Sequence, residues 1–177
     1  LVFAIIEGAD RGWASAATLA TGAVALVTLV GFVLRELHTA APLLDVRLFR
    51  LRGFSAGSLS VTAQFFAAFG FFFVVLQYLQ FVVGRSALEA ALTLLPLPVL
   101  LLPSARLAPR LVERFGTNRV DAAGLLSIAA GLAIISQLGV ELNQVTMYAG
   151  LALFAIGMGL AGTPATTAIT ASLPPAK

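Results

Sequence analysis

Long runs of apolar residues without a single charge recur along the chain, separated by short segments that carry nearly all the charges. A helix needs about 20 predominantly apolar residues to cross the hydrocarbon core of a bilayer. The runs do not alternate between apolar and polar positions, as the strands of a membrane β-barrel do. The pattern therefore predicts the end of one helix in the apolar segment 1–6 and five membrane-spanning helices, at about 16–35, 54–82, 88–107, 122–140 and 146–171.

Composition excludes several classes of protein and of site. The chain is 59% hydrophobic and only 11% charged, whereas a soluble domain is about 25% charged. A disordered chain needs low hydrophobicity and high net charge, so that class is excluded as well. With no Cys and one His, disulfide frameworks, thiolate metal sites and Cys nucleophiles are absent. We predict an all-α, polytopic transmembrane helix bundle without catalytic residues, metal site or cofactor.

The cations are distributed unevenly between alternate inter-helix segments. Nine of the eleven Lys and Arg residues lie in one set of alternate segments. These are 36–53 with Arg35 at its border, 106–121, and the C-terminal end. The opposite segments hold only Arg11 and Arg85, while the acids are divided evenly. By the positive-inside rule, we predict that 36–53 and 106–121 are cytoplasmic in a multi-pass protein of the cell (plasma) membrane. The net charge of +3 then reflects orientation, and we expect no nucleic-acid partner.

The helix predicted at 54–82 carries a stripe of aromatic and amide side chains along one face. An aromatic wall with a few amides suits bulky amphipathic or aromatic ligands, and amides that faced lipid would lack partners. An equally weighted alternative is that the Phe side chains pack on helices or touch lipid while the Gln side chains bond neighbouring helices. Gln64 lies on another face and is a weaker candidate. The candidates for a substrate cavity are Thr62, Phe66, Phe69, Phe73, Gln77 and Gln80.

The remaining helices offer less chemistry. No Asp, Glu, Lys or Arg lies in the middle of a predicted span, so we expect any proton-coupling carboxylate to lie outside this chain. Pro96, Pro98 and Pro103 favour a static kink over a bend that helps the helix rock. Gly157 and Gly159 do not follow a strand, so we interpret them as small residues that allow close helix packing.

The segment between the third and fourth full spans carries several charged residues, with Arg110 and Arg114 one helical turn apart. It reads P-R-L-V-E-R-F-G-T-N-R from Pro109 to Arg119. The pattern suits a cluster that holds neighbouring helix ends together and then releases them, and plain topogenic charge is an equally weighted alternative. The residues proposed for this conformational switching are Arg110, Glu113, Arg114, Gly116 and Arg119.

This segment resembles the cytoplasmic loop signature of the major facilitator superfamily, G-x-L-x-D-R-x-G-R-R. Leu111, Arg114 and Gly116 match it, Glu113 replaces Asp conservatively, and Pro109 departs from the usual Gly.

Three further stretches resemble the fourteen-helix drug:proton antiporters of that superfamily. The first runs from Glu7-Gly8 to Gly12-Trp13. The second runs from Pro42–Asp45 through Arg47–Arg50 to Phe54. The third runs from Leu79-Gln80 to Pro96, where Ala87 and Ala91 depart from the usual Pro and Gly.

The resemblance implies a domain organisation and a function. Residues 1–35 would be linker transmembrane helices, 36–53 a cytoplasmic loop, and 54–177 the first four helices of the second transmembrane bundle. The chain begins with Leu inside an apolar run, so we expect it to be a piece of a longer protein whose N-terminal transmembrane bundle is missing. The implied function is proton-coupled efflux of amphipathic or aromatic small molecules by alternating access.

The expected partners are the lipid bilayer, a small-molecule substrate and protons. Two alternatives remain at this point: a non-transporting membrane scaffold or regulatory subunit, and a membrane-embedded lipid-modifying enzyme. An enzyme would need clustered acids, a metal site or a nucleophile–base pair, whereas the acids here are scattered.

Overall fold

The fold is taken from a computed structural model that describes residues 2–39, 46–140 and 142–171. The chain divides into two compact units, Leu1–Phe49 and Arg50–Lys177. Residues 40–45, Glu141 and Lys177, which belong to the predicted inter-helix segments, lie outside the described residues. The same is true of Pro42–Asp45, the first part of one of the stretches behind the family resemblance.

The first unit is a helical hairpin. Helix α1 spans Val2–Arg11 and helix α2 spans Ala16–His38. Gly12 permits the turn because its φ of +89° lies in the left-handed region. The Trp13 ring covers α1 so closely that a Cβ on Gly8 would lie 2.8 Å from it. The residues that resemble the linker hairpin therefore form the turn between the two helices.

The second unit contains the remaining long helices. A short 3-10 helix, Val46–Arg50, precedes it. Pro96 occupies the first turn of its helix, where a missing backbone donor costs nothing. The helices are α3 (Arg52–Gln77, continued by a π-helical turn Tyr78–Val82), α4 (Ala87–Thr93), α5 (Pro96–Phe115), α6 (Thr117–Ile135) and α7 (Gln144–Ala171).

Helix α7 is the centre of this unit and packs against α3, α5 and α6. Met147, Leu151 and Phe154 are buried, and the Phe154 ring stacks on Phe71 of α3 at a centroid distance of 4.5 Å. Glycines bring the backbones close together: Gly157 faces α6, and Gly159 faces α5. The interpretation of this glycine pair as a packing feature is therefore confirmed.

Two predicted helix ends are wrong at one junction. The third full span was predicted to end near 107 and the next to start near 122, but α5 continues to Phe115 and α6 begins at Thr117. Arg, Glu and Leu are good helix formers, so α5 extends past the apolar run. Gly116 alone separates the helices, with φ +86° and ψ 152°, a conformation that only glycine adopts readily.

The predicted fold class is confirmed: the described residues form an all-α bundle of membrane-spanning length. Within the described residues, the helices long and apolar enough to cross a membrane number five, as predicted. They are Ala16–His38, Arg52–Val82, Ala87–Phe115, Thr117–Ile135 and Gln144–Thr167.

Candidate functional site

The predicted stripe lies on the exposed face of α3. Phe66, Phe69 and Phe73 are 83%, 73% and 70% exposed within the described chain, and Thr62, Gln77 and Gln80 are exposed too. The opposite face, which carries Phe71, Val75 and Leu79, is buried in the core. The six residues therefore share one surface, and it points away from the packed side of α3.

The amides at the far end of this stripe have no partner among the described residues. Gln77 and Gln80 are exposed, and neither hydrogen-bonds to another described side chain or backbone group. The alternative of interhelical bonds made by these two amides therefore has no support from the helices that the structure describes. Such amides need water or further protein beside them, because hydrocarbon cannot satisfy their donors and acceptors.

A groove of about 490 Å³ runs alongside the stripe, between α3 and the end of α6. Phe66 belongs to both surfaces, and Val74, Tyr78 and Leu132 line the groove further along. Its walls are almost entirely apolar, as in many sites for drug-sized ligands. The aromatic surface of α3 is therefore wider than the stripe that the sequence predicted.

The end of α3 departs from α-helical geometry next to Gln77 and Gln80. Residues Tyr78–Val82 form a π-helical turn, and the Tyr78 hydroxyl donates a hydrogen bond of 2.9 Å to the Gly139 carbonyl in the α6–α7 connection. Gly84, at φ +75°, ends the turn. Turns of this kind are often found at functional sites, and this one sets the direction of the second amide.

The predicted switching residues lie together at the α5–α6 junction. Arg110, Glu113 and Arg114 lie on the last turns of α5, and Arg119 lies on the first turn of α6; all four are exposed. Arg114 stacks near the Phe115 ring, 5.3 Å from its centroid. In the part of the chain that the structure describes, no ion pair within 4.0 Å joins Glu113 to Arg110 or Arg114. The junction therefore carries a net positive charge and forms the basic end of this unit.

Sequence reasoning missed a polar row on the buried face of α3. The Ser60 hydroxyl donates to Asp121 Oδ1 of α6 at 2.7 Å, and Gln64 Nε2 donates to Ser60 Oγ at 3.1 Å. Ser60 and Gln64 are 3% and 5% exposed. The spacing of these two α3 residues by one helical turn was the available signal. Asp121 was treated as a span border, but it lies within α6.

Comparisons with known proteins agree with this architecture, although no protein-family model matches the chain. The multidrug efflux pump LfrA of Mycolicibacterium smegmatis is 31% identical over 177 residues, which is 100% of this chain and 35% of that protein. The tetracenomycin C resistance and export protein of Streptomyces glaucescens is 33% identical over 161 residues, 91% of this chain and 30% of its own length.

A third relative supplies the family name. An uncharacterized MFS-type transporter of Bacillus subtilis, YhcA, is 28% identical over 174 residues, 98% of this chain and 33% of its own length. The chain belongs to the major facilitator superfamily. It is therefore a multi-pass membrane protein, and it spans about a third of the length of the curated relatives it matches.

The superfamily assignment gives the two surfaces of α3 different meanings. The buried face holds α3 to its own bundle through Phe71, Val75 and Leu79. The exposed stripe has no described helix against it, and major facilitator bundles face a central substrate path on one side and lipid on the other. An exposed face fits either side, so the placement of the stripe on the substrate path stays a prediction beside the alternative that it faces lipid.

Proposed function

We propose that this chain is part of a proton-coupled exporter of amphipathic or aromatic small molecules that works by alternating access. The observation that carries the proposal is the exposed stripe of α3, in which aromatic rings are followed by two amides. The names of the relatives support export: one is a multidrug efflux pump and another a resistance and export protein. Neither name denotes an enzyme, which favours transport over lipid modification.

The proposal assigns each segment a place in a longer, fourteen-helix protein. Residues 1–35 are linker transmembrane helices, 36–53 is a cytoplasmic connection, and 54–177 are the first four helices of the second bundle. The preceding bundle faces the α3 stripe across the substrate path. The relatives, about three times as long as this chain, leave room for that bundle.

We also propose that the basic end lies on the cytoplasmic side of the plasma membrane. Arg52, Arg114 and Arg119 lie at this end, whereas Arg85 lies at the opposite end beside α4. Cations next to spanning helices are retained on the cytoplasmic side. In alternating access, the exposed cluster of Arg110, Glu113 and Arg114 holds neighbouring helix ends together in one state and releases them in the other.

Replacing Phe73 with alanine in the full-length protein is expected to slow efflux of planar aromatic dyes about tenfold at dye concentrations below saturation. Removing part of a phenyl contact costs about 1.4 kcal/mol, which corresponds to a tenfold loss of affinity. The measurement is dye efflux from energised cells at equal surface expression.

Gln77→Leu is expected to change the order of preference among dyes, because it removes a hydrogen-bonding group and keeps the volume.

Phe72→Ala is the matched control for the phenylalanine variant. Phe72 is the neighbouring phenylalanine, it lies about 100° around α3, and it makes an edge contact with the Phe71 ring. Its replacement is expected to change dye efflux less than about twofold, since no substrate contact is lost. Equal effects of the two alanine variants would remove the stripe from the substrate path.

A further inference from the structure

A chain of three polar side chains crosses the interface between α3 and α6 near the basic end. Asp121 accepts a hydrogen bond from Ser60, and Ser60 accepts one from Gln64. Both α3 side chains are more than nine-tenths buried, and Asp121 is half-buried. Buried polar groups are costly unless they are hydrogen-bonded, and polar groups inside membrane spans are often functional. Thr62, Phe66, Phe69 and Phe73 lie on the other side of the same helix.

A small cavity of about 200 Å³ gives solvent a route to one end of this chain. Asp121 lines the cavity together with Arg52, Thr117 and Asn118. The other end lies inside the protein, where Gln64 Oε1 would be 3.7 Å from a Cβ added to Gly162 of α7. The chain therefore leads from water at the basic end to the contact between α3 and α7.

The charged groups around Asp121 leave its carboxylate without a close cation. On α3, Arg52 lines the cavity but is not within ion-pair distance of Asp121. Helix α7 contributes Pro164 to the cavity and no charge. The charged residues at this end of α5 and α6 are exposed and form no ion pair with Asp121 among the described residues; they are Arg110, Glu113, Arg114 and Arg119.

The carboxylate form of Asp121 fixes the direction of both hydrogen bonds in the chain, and protonation allows both to reverse. A carboxylate can only accept, so the Ser60 hydroxyl has to donate to it and the Gln64 amide nitrogen has to donate to Ser60. A carboxylic acid has a hydrogen to donate. When one proton from cavity water adds to the Asp121 carboxylate, the acid can donate to Ser60, and the Ser60 hydroxyl then donates to Gln64. The amide must turn its oxygen toward Ser60 to accept that bond.

We propose that Asp121 is a proton-binding site whose protonation changes the hydrogen bonds of Ser60 and Gln64 and, through them, the contact between α3 and α7. The proposal rests on the exporter function proposed above and assigns proton binding to this chain, whereas the sequence indicated a carboxylate outside it. Uptake of one proton removes a negative charge from the α3–α6 crossing and reverses the amide that faces Gly162. Because α3 also carries the aromatic stripe, proton binding and substrate binding act on one rigid helix.

The test is an infrared pH titration of the reconstituted full-length protein between about pH 4 and pH 9, a range that covers ordinary and shifted carboxyl groups. The difference between wild type and Asp121→Asn is expected to contain one titrating carboxyl band. Ser60→Ala keeps the carboxyl group, so it tests the proposal even if the Asn variant does not fold. It is expected to move the band and to shift its titration midpoint by about one pH unit, because a direct hydrogen-bond partner is lost.

Glu89→Gln is the control for removal of a carboxyl group. Glu89 lies at the opposite end, where it closes a capping box with Ser86, and glutamine can make the same hydrogen bonds. Its replacement is expected to leave the Asp121 band unchanged. Absence of a titrating band in the Asp121→Asn difference would overturn the proposal, and so would a Ser60→Ala band identical to that of wild type.

Transport measurements separate this proposal from the exporter proposal. Wild-type proteoliposomes with a proton gradient are expected to export dye, and Asp121→Asn is expected to lower the proton-driven part at least about tenfold. If the wild type moves no dye but shows the titrating band, the exporter proposal fails and the proton-site proposal stands. If Asp121→Asn keeps full proton-driven export, the proton-site proposal fails and the exporter proposal stands.

Discussion

Replacing Gly157 with valine is expected to lower the thermal unfolding midpoint of the detergent-solubilised protein by about 6–12 °C. A Cβ at this position would lie 2.6 Å from both the Gly124 carbonyl oxygen and the Ile128 nitrogen. These are backbone atoms, so α6 and α7 have to separate to make room. Overpacking of this kind costs about 1–3 kcal/mol. A cost of about 3 kcal/mol, at about 2–4 °C per kcal/mol, lowers the midpoint by about 6–12 °C.

The interface between α6 and α7 has little else to compensate for such a separation. Helices in lipid associate through close packing and interhelical hydrogen bonds, because lipid tails are as apolar as the helices. The hydrogen bond from the Ser127 hydroxyl to the Leu153 carbonyl, 2.7 Å long, crosses the same interface. A valine at 157 would therefore weaken both contributions together.

Gly70→Val is the matched control for this change. Gly70 also lies within a long helix, but nothing lies within 4 Å of a Cβ built there. Glycine and valine differ by only a few tenths of a kcal/mol in helix propensity, so the midpoint is expected to stay within about 2 °C of wild type. The measurement is the fraction of monodisperse protein after heating. Equal shifts for both variants would contradict close α6–α7 packing.

Aspartate introduced on the two faces of α3 is expected to have opposite consequences. Val75 is 2% exposed and belongs to the core, so Val75→Asp buries a charge without a partner. Such a charge costs about 3–5 kcal/mol, so the ratio of folded to unfolded protein is expected to fall more than about a hundredfold. Phe73→Asp is expected to keep the folded yield within about twofold of wild type, because the proposed substrate path contains water.

The Phe73 variant also distinguishes a substrate path from a lipid-facing surface. An aspartate near the centre of a lipid-exposed helix costs about 2.5–3.5 kcal/mol during insertion. If the stripe faces lipid, Phe73→Asp would lose folded protein much as Val75→Asp does. The measurement is the folded fraction of each variant after membrane extraction, by size-exclusion chromatography at equal total expression. Comparable losses would contradict the substrate path.

Patterns confined to one helix could be predicted from the sequence. Charge-free runs located the five spans because hydrocarbon excludes unpaired charges over the length of a helix. A 100° rotation per residue placed Phe66, Phe69 and Phe73 on one face, and that face is exposed in the structure. Helix ends were less predictable, since α5 continues through Arg110 and Arg114 until Gly116 stops it.

Features that depend on distant partners could not be predicted. The hydrogen bond between Ser60 and Asp121 joins residues 61 positions apart, and so does the bond between Tyr78 and Gly139 that accompanies the π-helical turn. Periodicity along α3 shows which residues share a face, but it does not show which helix covers that face. Gln64 was therefore ranked below the stripe, although it belongs to the buried polar chain.

The membrane arrangement of this chain can be tested most directly by labelling single cysteines with a membrane-impermeant maleimide. The chain has no Cys, so Arg114→Cys and Arg85→Cys each introduce one thiol within it; any cysteine elsewhere in the full-length protein is replaced first. In intact cells, the account predicts labelling at 85 and protection at 114 until the membrane is opened. Labelling of both positions from the same side of the membrane would contradict it.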